Sequence, residues 1–129
     1  MSLKKKVKFV RTEEHHRRPR SLGGLDSITN ISYVEWNKHQ SWHTLFGNMN
    51  AQQICNVINS CFKPPEVEIV CKFINGQEVL KKGGKESNNK KKRSCAWETL
   101  FKGLSFKEAI QYINNTWLDP SYHLYIEKI

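Results

Sequence analysis

His15-His16-Arg17-Arg18-Pro19-Arg20-Ser21-Leu22-Gly23-Gly24, followed by Asn30 and then by His39 and His43, brings four of the five histidines of this 129-residue chain into one ordered segment. Just ahead of it, Val7-Lys8-Phe9-Val10 is a short β-prone run that leads into the histidine pair. From Arg17 to Thr29 the chain is rich in Pro, Gly, Ser and Asp, which predicts a loop. Asn30-Ile31-Ser32-Tyr33-Val34 is β-branched and aromatic without a breaker and predicts a second strand. From about Asn37 a helix follows, with Trp42, Leu45 and Phe46 on one apolar face and Gly47-Asn48 as its stop. The expected order is strand, loop, strand, helix.

That order places chemistry. Adjacent residues on a strand point to opposite sides, so His15 and His16 can do different jobs, one facing a metal and the other a water. His39 and His43 lie four apart on the predicted helix, so their rings share a face and can converge on one ion. With His15 they would make a three-histidine site with positions left open. Hydrolysis of a phosphodiester needs such parts: a base for water, a cation for the charge on phosphate, and braces holding both in line. Imidazole-rich ligation suits Zn2+ or Ni2+, while Mg2+ is more abundant in cells and Mn2+ is a further option.

Counted from His16, Pro19 lies 3 residues on, Gly23-Gly24 7 and 8 on, Asn30 14 on and His39 23 on. On these residues, positions 7–46 resemble an HNH endonuclease of the ββα-metal (His-Me finger) class. The His-His pair with a helical His-x-x-x-His is most similar to the nuclease domains of the DNase colicins. The resemblance implies that His16 is the general base, that Asn30 braces the loop holding it, and that His15, His39 and His43 bind one divalent ion. Pro19 and Gly23-Gly24 match the family's loop. It covers about a third of the chain, and His43 is the ligand many HNH proteins lack.

Lys and Arg outnumber Asp and Glu by 21 to 12, giving a formal net charge of +9 and favouring a polyanionic partner. The basic residues cluster in residues 1–20 and again in residues 81–93. Arg17, Arg18 and Arg20, inside the catalytic-type loop, are expected to contact phosphate. Lys81 to Arg93, ending in Lys90-Lys91-Lys92-Arg93, reads as a flexible arm on a nucleic-acid backbone, with double-stranded DNA the expected partner. No base-reading motif is present. With 38% hydrophobic residues, including 4 Trp and 6 Phe, the chain can bury an aromatic-rich core. Cys55, Cys61, Cys71 and Cys95 contain no Cys-x-x-Cys pair and are expected to be reduced, mostly buried thiols. No signal-peptide or membrane-spanning apolar run appears, so an intracellular protein is expected.

Downstream, Asn50 and Gln53 form a capping-box start for a second helix to about Ser60, with Ile54, Val57, Ile58 and Cys61 at helical spacing, and Pro64-Pro65 ends it. Asn75-Gly76 between Val67–Ile74 and Glu78–Leu80 predicts a β-hairpin. An internal repeat runs at an offset of 55: Trp42-x-Thr44-Leu45-Phe46 recurs as Trp97-x-Thr99-Leu100-Phe101, Ile58-Asn59 as Ile113-Asn114, and Ser105 to Glu108 repeats the capping box. Phe62 is matched by Trp117 and Pro65 by Pro120. His39 and His43 become Ser94 and Glu98, so the second copy keeps packing residues without the chemistry.

The expectation is therefore an α+β protein: a ββα-metal unit over residues 1–62, followed by a degenerate repeat over residues 63–129 with a β-hairpin, a basic loop, two helices and a C-terminal strand, packed as one compact domain. The expected activity is metal-dependent hydrolysis of DNA. The second reading is a catalytically inactive HNH-fold protein that holds DNA or structured RNA through its basic patches. A nuclease acting only inside a larger phage or mobile-element assembly is a third.

Overall fold

The structure, a computed structural model, describes residues 10–85 and 89–129. Strand β1 (Thr12–His16) pairs antiparallel with β2 (Ile31–Glu35), Thr12 opposite Glu35 and His16 opposite Ile31. The first strand thus carries the histidines itself; Val10 precedes it, and Val7–Phe9 lie outside the described residues. Strand β2 runs straight into helix α1 (Trp36–Leu45), which buries Trp42 and Leu45 on one side. Between the strands, Pro19 opens a short 3-10 turn over Arg20–Leu22, and Gly23 closes it at φ 90°, a conformation that glycine adopts without penalty. Gly24 passes so close to the Arg18 carbonyl that any Cβ would collide with it, which accounts for the second glycine.

Helix α2 (Ala51–Cys61) begins at the expected capping box, with Asn50 and Gln53 each accepting the other's backbone N–H at 2.9 Å. Its face of Ile54, Cys55, Val57 and Ile58 is buried. Strand β3 (Val67–Phe73) then leads through an irregular segment to α3 (Lys90–Leu100) and α4 (Phe106–Tyr112). A π-type turn, Ile113–Trp117, prolongs α4, and the last strand is β4 (Tyr122–Lys128). The fold is α+β, with two small two-stranded antiparallel sheets, β1-β2 and β3-β4, among the described residues.

Two local expectations are corrected. The hairpin predicted across Asn75-Gly76 does not form, although Gly76 does turn with φ 81°. Strand β3 pairs instead with β4, and Val79 N–H donates to the Tyr122 hydroxyl at 2.8 Å rather than to a strand ladder. The reason is burial: β3 and β4 each place an apolar side chain, Ile69 and Leu124, under the helices at 2% exposure, whereas Leu80 of the local alternative stays 89% exposed. The flexible-arm reading also fails at its end, because Lys90 to Arg93 are the first turn of α3, capped by Asn89. Residues 86–88 of that run lie outside the described residues.

The repeat is geometric as well as sequential. β3 and β4 are offset by 55 along their whole lengths, and Val70 pairs with its own counterpart Tyr125. Val67 faces Lys128 while Phe73 faces Tyr122, the reciprocal pattern of a two-fold axis. Asn59 clamps the Ile69 N–H and C=O with its amide at 2.8 Å each, and Asn114 does the same to Leu124 at 2.9 and 3.0 Å. Trp42 packs on Phe46 with ring centroids 4.5 Å apart, and Trp97 on Phe101 at 4.4 Å. Across the axis Trp42 stacks on Trp117 and Trp97 on Phe62. The copies therefore run α1–α2–β3 and α3–α4–β4, and β3 closes the first copy. The β1-β2 hairpin stands outside this symmetry: it packs on α1 of the first copy and on the π-type turn of the second.

Candidate metal centre

Alternation along β1 puts Glu13 and His15 on the face turned toward α1. His15 is 4% exposed, with its ring against Trp42 and Trp117. Its Nε2 lies 2.8 Å from the Trp117 carbonyl, and because a carbonyl only accepts, Nε2 carries the hydrogen and Nδ1 keeps its lone pair. His39 Nδ1 likewise donates to the Glu13 carboxylate at 2.9 Å, leaving Nε2 for a ligand. The Nε2 atoms of His39 and His43 are 3.0 Å apart. One ligand nitrogen from each of His15, His39 and His43 falls within 4.8 Å of the others. Two nitrogens bound tetrahedrally to Zn2+ at ~2.1 Å sit about 3.4 Å apart, so side-chain adjustment alone would bring this set around an ion. The three residues fit a divalent cation, and nothing in the donor set fixes which one.

Their protonation suits that role. Burial drives the His15 pKa down to about 3, outweighing the opposing effect of its bond to the Trp117 carbonyl. Burial, then the neighbouring His39, also lowers that of His43, whose outer edge reaches solvent. Neutral imidazoles are what a metal binds.

His16, on the opposite face of β1, reaches the rim of the same pocket, a cavity of about 250 Å³ that Arg20, His39 and His43 also line. Its Nε2 donates to Asp26 at 2.7 Å, and Arg20 closes the group 3.1 Å from both His16 Nε2 and Asp26 Oδ1. The bond from His16, then the charge of Arg20, holds the Asp26 carboxyl below the usual range. Asn30, 6% exposed, ties the loop: its Oδ1 accepts from Arg18 N–H at 2.7 Å and its Nδ2 donates to the Arg18 and Leu25 carbonyls.

The basic residues divide. Arg17 turns inward and donates to the Leu118 and Asn114 carbonyls at 2.8 and 2.6 Å. Arg18 pairs with Asp119 at 2.6 Å, both side chains largely buried. Both were expected on phosphate; both instead bolt the loop to the second copy, because the loop's underside meets the row of backbone carbonyls at the end of the π-type turn. Arg93 is corrected too: it is 5% exposed within α3, with Nη1 3.3 Å from Cys61 Sγ. Arg20, Lys90, Lys91 and Lys92 remain at the surface. Cys55 is buried and Cys71 half-buried, but Cys61 and Cys95 lie at the surface, contrary to the expectation for most thiols.

Sequence reasoning missed Glu13, Asp26 and the Trp117 carbonyl. Glu13 was findable, since it lies two residues before His15 and so on the same strand face. Asp26 sits in a loop without periodicity, and Trp117 is 102 residues from His15. No helix among the described residues is long and apolar enough to cross a membrane. Comparisons with known protein families, curated proteins and solved structures return no match.

Proposed function

We propose that the protein is a metal-dependent phosphodiesterase acting on DNA, built as an HNH-type ββα-metal unit. The observation that carries the reading is the convergence of His15, His39 and His43, from a strand and the helix that follows its hairpin partner, with His16 at the rim of the same pocket. The ion these imidazoles would hold supplies Lewis-acid stabilisation of charge on the phosphate and leaving oxygen. His16 is the general base: its Nε2–H donates a hydrogen bond to the Asp26 carboxylate, which leaves the lone pair on Nδ1 to take a proton from water. Arg20, exposed beside it, offers a guanidinium to the scissile or adjacent phosphate. Asn30 holds the loop that follows His16 and carries Arg20 and Asp26.

Plasmid DNA incubated with the protein and Mg2+, Mn2+, Ni2+ or Zn2+ should be cut, and His16→Ala should abolish cutting while sparing metal and DNA binding. Intact plasmid under every metal would refute hydrolysis of that substrate. Salt-dependent DNA binding without turnover, unchanged in His16→Ala, would favour the inactive binding protein. That alternative draws on the second copy, where Glu98 stands in place of His43 and the packing survives.

A further inference from the structure

The two-fold repeat leaves one position filled and its counterpart empty. In the first copy, the ring of His15 packs against the Trp42/Trp117 stack, edge-on to Trp42 at 74° and tilted 55° to Trp117, with centroids 5.8 and 5.0 Å away. The counterpart pair is Trp97 and Phe62, with ring planes 9° from parallel and centroids 4.3 Å apart. Phe106 lies near-parallel to Trp97 with ring centroids 6.4 Å apart, and Phe101 packs on it at 4.4 Å. Trp97, Phe62 and Phe106 are only half-buried around an open groove of about 530 Å³. The first copy thus shows such an aromatic pair beside a flat nitrogen heterocycle, packed against it at an angle, that gives an N–H to the backbone. His15 gives its N–H to the Trp117 carbonyl, and the carbonyl at the same place in the repeat belongs to Phe62.

We infer that the Phe62/Trp97 groove is a nucleobase-stacking site for a single-stranded or extruded nucleotide. The groove's surroundings match both halves of a nucleotide. Glu98, which lines it at the position of His43, accepts hydrogen bonds from the amino or imino groups of a base. Lys102 at the rim, with Lys63 beside Phe62 and Lys107 beside Phe106, supplies positive charge for the phosphates. An isolated apolar peptide would leave these lysines unused, and a chain of net charge +9 draws polyanions to it. Aromatic platforms bind bases of any sequence because every base has a π-face. The inference shares the nucleic-acid partner of the proposed function and is independent of its hydrolytic chemistry.

The test measures binding of the full chain, with chelator present so that no hydrolysis intervenes, by fluorescence anisotropy. The probes are a labelled single-stranded DNA oligonucleotide and an abasic oligonucleotide of the same length and charge. The expected result is binding of the first and affinity on the order of tenfold or more lower for the second, since base stacking is what the abasic strand lacks. Trp97→Leu, checked for folding by circular dichroism, should bring that ratio close to one; if it fails to fold, Phe62→Leu carries the comparison. Equal affinity for the two strands, or no binding of either, overturns the site whatever the variants do. A base preference surviving in a folded variant places stacking elsewhere and overturns it as well. Capture of a peptide without base-dependent DNA binding does the same. Plasmid cutting by the metal-loaded protein is read separately, so either conclusion can fail alone.

Discussion

Acid should weaken this fold through His15 specifically. The ring is 4% exposed, and burial lowers its pKa from 6.5 to about 3, so the folded protein keeps it neutral while the unfolded chain protonates it below about pH 6.5. The unfolded state then binds more protons, and stability must fall with falling pH. The contribution is fully present above pH 6.5, declines below it, and is exhausted near pH 3. Between pH 7 and pH 4.5 a single group with these two pKa values removes about 2.5 kcal/mol. That is a large part of the ~5–15 kcal/mol that holds a typical domain folded. Urea unfolding in chelator at the two pH values should show it as a midpoint shift of about 1–2 M. His15→Gln retains an N–H donor for the Trp117 carbonyl but has no titratable ring, and should lose correspondingly less stability over the same interval. If native and His15→Gln proteins lose the same amount, the acid sensitivity lies elsewhere and the neutral, buried imidazole is not its source.

The fold should respond to metal in the same assay: at a hundredfold excess over the dissociation constant, Zn2+ should stabilise the native protein by about 2.7 kcal/mol. His39→Ala should abolish that gain in thermal unfolding, and a gain that persists would remove His39 from the ligand set. Asn59→Ala and Asn114→Ala each break two bonds to a strand backbone, at a cost of about 2 kcal/mol or more, and the two-fold relation predicts similar losses in urea denaturation. A cost confined to one of them would show that the copies are not equivalent in energy. Arg18→Ala strands the largely buried Asp119 carboxylate and should destabilise by about 3–5 kcal/mol, whereas Arg20→Ala, at an exposed pair, should leave stability within about 1 kcal/mol and weaken DNA binding. The reverse pattern would return Arg18 to the phosphate-contacting surface.

Much of the first unit was legible because its signals are local. A strand alternates, so two consecutive histidines had to point apart; a helix repeats every 3.6 residues, so His39 and His43 had to share a face. Asn50 with Gln53 and Ser105 with Glu108 mark their helices by short-range hydrogen bonds, and both capping boxes are present. The repeat was visible for a related reason: the same helix pair needs the same Trp-x-Thr-Leu-Phe face wherever it packs.

What the chain by itself determined, then, is which side chains lie on which face of each local element. Tertiary structure alone decided what those faces meet. Strand β3 passes over the nearby Asn75-Gly76 turn to pair with β4, because burying Ile69 and Leu124 outweighs the ease of closing a short loop. Arg17 and Arg18 look like phosphate contacts until the loop is laid against the carbonyls of Asn114 and Leu118 and the carboxylate of Asp119. The tautomer of His15, and with it the nitrogen free to bind a metal, is set by a backbone carbonyl at Trp117. A backbone carbonyl is the same at every residue, so no pattern of side chains can announce it.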